Sequence, residues 1–206
     1  MDGVIVDTAH YHFIAWRKLA KELGIDLSEK DNERLKGVSR MRSLEIILEL
    51  GGVNLSEAEK KKRTEIKNTW FVGYINAMKP EEIFPGVKEL ILNLKKSGIR
   101  VALASSSRNA DTVIRLLKIE SLFEAIVDGT MITHSKPDPE IFLLAARKLG
   151  VAPEFCLVFE DAEAGVEAAL RAGMKCIGVG SAEQLGKAHQ VVKSTADFDL
   201  ANMKTL

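Results

Sequence analysis

The chain has 206 residues, 46% of them hydrophobic and 28% charged, enough for one compact core plus a modest inserted domain. Lys plus Arg equals Asp plus Glu at 29 each, which argues against a nucleic-acid binder driven by phosphate neutralisation while leaving local basic pockets for small phosphates open. No apolar run approaches the roughly 20 residues that span a bilayer, and no basic segment followed by a long apolar one opens the chain, so a cytoplasmic protein with no membrane or nucleic-acid partner is expected. Cys156 and Cys176 sit in apolar runs at no metal-ligand spacing and read as buried free thiols.

In chain order, Gly3-Val4-Ile5-Val6-Asp7 reads as the end of a strand running into a loop, with no strand before it. Residues 9–23 carry a helical stripe of Tyr11, Ala15, Leu19 and Leu23, flanked by Phe13, Trp16 and Ala20. Residues 43–50 and 56–78 also read as helices, and Ser56 followed by Glu59 marks a capping box. No convincing strand falls between 9 and 80. Beyond Pro80 the pattern alternates. Helices are expected at 86–97, 109–118, 138–149 and 162–172, and strands at 100–104, 125–127, 155–159 and 175–179. Gly98, Gly150 and Gly173 supply helix stops. Short apolar strands alternating with helices imply a parallel sheet covered on both faces. The expected architecture is therefore an α/β core, residues 1–8 and 81–206, interrupted by an all-helical insert at 9–80.

In such sheets ligands sit beyond the carboxyl ends of the strands. The polar residues placed there are Asp2 and Asp7, Ser105-Ser106-Ser107 and Glu160-Asp161, with Lys136 in the loop before Pro137. Each has an ordinary structural reading as well. Ser107, Asn109 or Asp161 could simply cap a helix. Together they are more specific. Carboxylates gathered at one edge repel, and a hard divalent cation such as Mg²⁺ relieves that while bridging to a phosphate. Lys136 and the amides around Ser105 and Ser106 would neutralise and hydrogen-bond the phosphate.

With these residues in place the chain resembles the haloacid-dehalogenase superfamily. Asp2-Gly3-Val4, Ser105, Lys136-Pro137 and Glu160-Asp161 follow its motifs in order over nearly the whole chain. Thr8-Ala9-His10-Tyr11-His12 with Ala15-Trp16, and Leu35-Lys36-Gly37-Val38-Ser39-Arg40, resemble the cap domain of the β-phosphoglucomutase family. The resemblance implies a Rossmann-like core with a helical cap, and interconversion of β-D-glucose 1-phosphate and glucose 6-phosphate. It makes Asp2 the general acid/base, Ser105 and Lys136 phosphate-handling catalytic residues, and Asp2, Glu160 and Asp161 the Mg²⁺ ligands. It implies that Arg40 binds the remote phosphate, for which a bidentate guanidinium suits. His12 and Lys36 would couple cap closure to Asp2, and Trp16 would line the sugar pocket. Thr8, Gly37, Val38, Ser39, Ser43, Lys67 and Asn68 would complete the cap side, and Ser106, Ser107, Arg108 and Asn109 the core side. Periodicity alone leaves Trp16 equally open to a core role, and Lys67 to the solvated Lys60-Lys61-Lys62-Arg63 face. A monomer is expected, with glucose 1,6-bisphosphate as activating intermediate.

One departure stands out. The family's Asp-x-Asp-Gly motif places a nucleophilic Asp, the site of an aspartyl-phosphate, two positions before its acid/base. Here that position falls immediately before Met1, and the first core strand is missing with it. A misplaced start or a truncated chain is expected, and this chain is expected to lack turnover. The alternatives are a sugar-phosphate phosphatase of the same fold and a non-catalytic sugar-phosphate-binding protein.

Overall fold

The computed structural model describes residues 1–201; residues 202–206, included in the expected core segment 81–206, lie outside the described residues. Four helices come first. They are α1 (Ala9–Glu22), the short α2 (Glu29–Asn32), α3 (Arg40–Gly51) and α4 (Glu57–Ile75). The stripe read from the sequence is the buried one, with Ala15, Trp16, Leu19 and Ala20 turned inward on α1. Ser39 caps α3 by accepting from the Arg42 amide, and Gly52, at φ +62°, ends it in the left-handed region a β-carbon disfavours. The Ser56–Glu59 capping box opens α4. Trp16, Leu19, Leu27, Leu44 and Ile47 fill an apolar cluster among these helices.

The remainder alternates, as expected. It runs α5 (Val87–Lys96), β1 (Ala102–Ala104), α6 (Ala110–Leu116), β2 (Ala125–Val127), α7 (Glu140–Leu149), β3 (Leu157–Glu160), α8 (Glu163–Arg171) and β4 (Lys175–Val179). Two further elements, α9 (Ala182–Leu185) and β5 (Gln190–Val192), follow Gly180, a stretch whose pattern announced nothing. All strand pairing is parallel, as the buried apolar runs required. Helices cover both faces. Leu103 and Ile177 pack with Val87, Ile91, Val113 and Ile114 on one side. Cys176 packs with Ile141, Phe142, Val166 and Ala169 on the other. Adjacent residues such as Cys176 and Ile177 thus point to opposite faces, the period-two alternation of a strand.

The sheet is in two parts, β1–β2 and β3–β4–β5. No strand forms within residues 1–8. The expected strand end is instead a turn, because Gly3 at φ +66° reverses the chain and its amide donates to the Val6 carbonyl at 3.0 Å. The Asp2 to Val6 bridge is internal to this segment, which is tied to its surroundings by the Val6 to Ile83 bridge, by the Phe84 amide donating to the Ile5 carbonyl at 2.9 Å and by Thr195 Oγ1 donating to the Val4 carbonyl at 2.8 Å. Among the described residues no helix is long and apolar enough to cross a membrane.

Candidate active site

The carboxyl ends of β1 and β3 deliver the charged residues. Ser105, just past β1, is held by its amide, which donates to the Val127 carbonyl at 3.0 Å. Its hydroxyl accepts from the Ser107 amide at 3.2 Å and reaches toward Asp2 Oδ2 at 3.5 Å. Glu160 ends β3. One of its oxygens takes the Lys136 ammonium, and the other accepts from the amides of Asp161 at 3.0 Å and Ala162 at 3.2 Å. Lys136 precedes a cis peptide to Pro137 and lies 4.7 Å from the Phe142 ring centroid. Asp161 does not cap α8; Ala162 occupies that position without a side-chain bond.

Two glycines make this crowding possible. A β-carbon on Gly165, in the first turn of α8, would lie 2.1 Å from the Glu160 carboxyl carbon. One on Gly3 would lie 2.0 Å from Asp161 Oδ2. Neither glycine was assigned a role from sequence. A glycine inside the first turn of a helix, where almost any other residue propagates better, was the available signal for Gly165.

Burial sets the electrostatics. Asp2 is pushed up by loss of solvent, and the Glu160 charge adds to this. Asp161 is raised to about 7 by burial and then by the Glu160 charge beside it. Burial is the largest influence on Glu160 and works to raise it, but the Lys136 ammonium, the amino-terminal charge and the hydrogen bonds from Lys136 and the Ala162 amide together outweigh it, and the net shift is downward. Asp2 Oδ1 is buried without a hydrogen-bond partner.

The helical block supplies the facing wall. His12 and Lys67 meet at 2.6 Å between Nδ1 and Nζ, with the imidazole stacked on Phe71 at 3.9 Å. The Lys67 ammonium also lies 4.5 Å from the Trp16 ring centroid. Burial lowers both groups well below their ordinary values, and Arg40 adds to the effect on each. Lys67 is 2% exposed, so it belongs to this cluster and not to the solvated lysine face. Arg40 donates to Asn68 Oδ1 at 2.7 Å, and Asn109 Nδ2 donates to the same oxygen at 2.8 Å. The Arg40 guanidinium is disfavoured by burial and by the nearby Arg108 charge.

A cavity of about 100 Å³ joins the two walls. Of the expected residues it is lined by Asp2, His12, Trp16, Lys36, Gly37, Val38, Arg40, Ser43 and Lys67, and by Ser105 to Arg108, Lys136, Glu160 and Asp161. Met1, Asn32 and Ala104 line it without having been singled out, and Ala9 and Leu35 come from the stretches that carry the cap resemblance. Four expected residues do not line it. Asn68 and Asn109 stand behind Arg40 as its hydrogen-bonded support, Ser39 is used as a helix cap, and Thr8 is fully buried. The walls touch where Ser106 Oγ donates to the Gly37 carbonyl at 3.1 Å. The three expected metal ligands do not bring one oxygen each within 4.8 Å of one another. Among the described residues that condition is met by His134, Asp138 and Glu140.

The class that this fold and site define is a doubly wound α/β protein with its charged groups at the strand ends beneath a helical block. A profile described as haloacid dehalogenase-like hydrolase matches residues 1–173, and the chain belongs to that family. It is 46% identical over 202 residues to the β-phosphoglucomutase of Bacillus subtilis strain 168, covering 97% of this chain and 89% of that one. It is 37% identical over 180 residues to a phosphorylated carbohydrates phosphatase of Thermotoga maritima, covering 86% of this chain and 81% of that one. Its fold matches a crystal structure of β-phosphoglucomutase from Clostridium difficile with a TM-score of 0.95 and 44% identity, across 99% of this chain and 92% of that one.

Proposed function

We propose that the chain carries the site of a β-phosphoglucomutase-type enzyme, a phosphotransferase that interconverts β-D-glucose 1-phosphate and glucose 6-phosphate. The observation that carries this reading is the presence of two cationic positions in one cavity. Lys136 and the amides near Ser105 form one, and Arg40 with Arg108 forms the other. An Arg40 guanidinium disfavoured by burial and by the Arg108 charge is relieved by an anion, so a sugar with phosphate at both ends is the fitting ligand.

In this reading residues 9–80 act as a cap and the rest as the core. Ser105 Oγ and Lys136 bind oxygens of the transferring phosphoryl group. Asp2, whose burial favours the protonated carboxyl, gives a proton to the sugar oxygen or takes it back. His12 and Lys67, whose burial disfavours their charged forms, hold sugar hydroxyls and exclude water. Asp2, Glu160 and Asp161 would hold Mg²⁺. The fit rests on the unpartnered Asp2 Oδ1 and on the raised Asp161, both of which a hard cation relieves. When bound, the ion supplies positive charge to the transferring group. A cytoplasmic, monomeric enzyme of sugar phosphates is the setting that fits the arrangement.

The test supplies β-glucose 1-phosphate with a trace of glucose 1,6-bisphosphate and follows glucose 6-phosphate against free phosphate. It compares the 206-residue chain with one extended upstream by an apolar strand ending in Asp. Glucose 6-phosphate from the extended chain alone is expected. Free phosphate without glucose 6-phosphate assigns the phosphatase reading instead. Turnover by the 206-residue chain overturns the role given to the upstream Asp.

A further inference from the structure

We propose that Asn68 is a latch across the cleft, whose side-chain oxygen stands in for a phosphate oxygen of the ligand and so selects for ligands phosphorylated at that end. Asn68, on α4, accepts at Oδ1 from Arg40 at 2.7 Å and from Asn109 Nδ2 at 2.8 Å. Arg40 begins α3 in the helical block, and Asn109 immediately precedes α6 in the core. One oxygen therefore ties the two walls of the cleft together.

The chemistry of the partners supports this. A guanidinium offers only donors, so the group of Asn68 that faces Arg40 must be its carbonyl oxygen. Asn109 sits at the N-cap of α6, where an Asn side chain ordinarily accepts from first-turn amides. It makes no such bond, and its side-chain amide is spent across the cleft instead. Ser107 Oγ accepts from the Asn109 backbone amide at 3.2 Å, which steadies the point from which Nδ2 reaches over.

The shared oxygen is a weak substitute for an anion. A neutral amide holds the Arg40 guanidinium without neutralising it, although Arg108 lies near enough to disfavour its charge. A phosphate oxygen carries charge and makes hydrogen bonds about twice as strong. Arg40 lines the cavity whereas Asn68 does not, so an entering phosphate meets the guanidinium and draws it off the amide. Phosphate can then bridge Arg40 and Asn109 in place of Asn68. A sugar hydroxyl offers these donors nothing that the amide does not already provide. The other bond between the walls, from Ser106 Oγ to the Gly37 carbonyl at 3.1 Å, presents no cation to a phosphate. That the displacing group belongs to a sugar phosphate rests on the function proposed above; the tie itself does not.

The test uses the 206-residue chain with spin labels on Lys61→Cys and Lys175→Cys in a Cys156→Ser background, which read the opening of the cleft without ligand. Stopped-flow tryptophan fluorescence reads association of glucose 6-phosphate, since Trp16 lines the cavity. Asn68→Ala removes the tie. A longer or broader distance and association about fivefold faster are expected, the factor that one lost hydrogen bond is worth. Asn68→Asp pairs with Arg40 as a full charge, so a narrower distance and association about tenfold slower are expected. Glucose, which has no phosphate, is expected to leave the distance unchanged. Two substitutions that alter only dissociation, with the free distance and the association rate unmoved, reduce Asn68 to a support for Arg40 and overturn the latch. Faster association in Asn68→Asp overturns it as well, and a response to glucose equal to that with glucose 6-phosphate overturns the selectivity. If glucose 6-phosphate does not bind the unsubstituted chain while the distance still follows Asn68, the latch is supported and the sugar-phosphate reading falls.

Discussion

Asp161 carries the sharpest electrostatic signature at the scale of single residues. Its carboxyl is raised from 3.8 to about 7 by burial and the Glu160 charge. A raised acid binds its proton more tightly in the folded chain. The stability it contributes is present below its unfolded value and is lost as pH rises through about 7. The metal-free chain is therefore expected to lose Tm between pH 4 and 7 from this group, and Asp161→Asn to flatten that slope in thermal scans with chelator. Mg²⁺ competes with the proton, so added Mg²⁺ is expected to raise Tm more at pH 8 than at pH 5. A Mg²⁺ shift equal at both pH values would remove Asp161 from the ligand set. Gly165 acts by what it lacks. In Gly165→Ala the new methyl collides with the Glu160 carboxyl, which must leave Lys136. A loss of ~1–3 kcal/mol by denaturant unfolding is expected for such overpacking, with weaker Mg²⁺ binding by calorimetry.

At the scale of elements, caps and contacts decide how the helical block is held. The capping box of α4 pairs the Ser56 amide with Glu59 Oε2 at 3.0 Å and the Glu59 amide with Ser56 Oγ at 3.4 Å. It was legible as two residues at the right spacing. Ser56→Ala is expected to lower stability by ~1 kcal/mol in urea titrations, with KM unchanged in the active form. The loop before α3 meets the core differently. Gly37 has φ +71°, and a β-carbon there would sit 3.0 Å from the Ala162 methyl. Gly37→Ala is expected to hinder closure and to lower kcat/KM of the extended chain by at least about tenfold, since a small misplacement at a site is costly. Ala162→Gly in the same chain removes the steric contact but not the backbone strain, so partial rescue is expected. Full rescue would show that strain at Gly37 is unimportant.

At the scale of the whole molecule, the cavity between core and helical block is smaller than its proposed ligand needs. Its volume of about 100 Å³ falls below the ~300 Å³ at which small-molecule pockets begin. The block of α1–α4 is therefore expected to swing away to admit a sugar phosphate. Spin labels at Lys61→Cys and Lys175→Cys, in a Cys156→Ser background, read this motion by electron-spin distances. Cys176 stays unlabelled, because burial pushes its thiol up to about 12. A longer or broader distance without ligand than with glucose 6-phosphate is expected; one identical narrow distance in both would sink the swing.

The sequence by itself determined the α/β alternation, the helical insert, the parallel pairing and most of the residues around the cavity. Those features are local. Periodicity, capping pairs and the polar residue after each apolar run are written within a few positions of one another. Tertiary structure alone decided the rest. Whether Lys67 is solvated or buried against His12 and Trp16 depends on packing between α1 and α4, some fifty residues apart. Asn68 and Asn109 became supports for Arg40 because two elements brought one carbonyl oxygen between two donors. The need for Gly165 appears only once Glu160 lies over it. The split of the sheet, too, is a fact about which strand edges remain unpaired. No single strand's sequence records its neighbour, because backbone pairing is the same whatever side chains the strand carries.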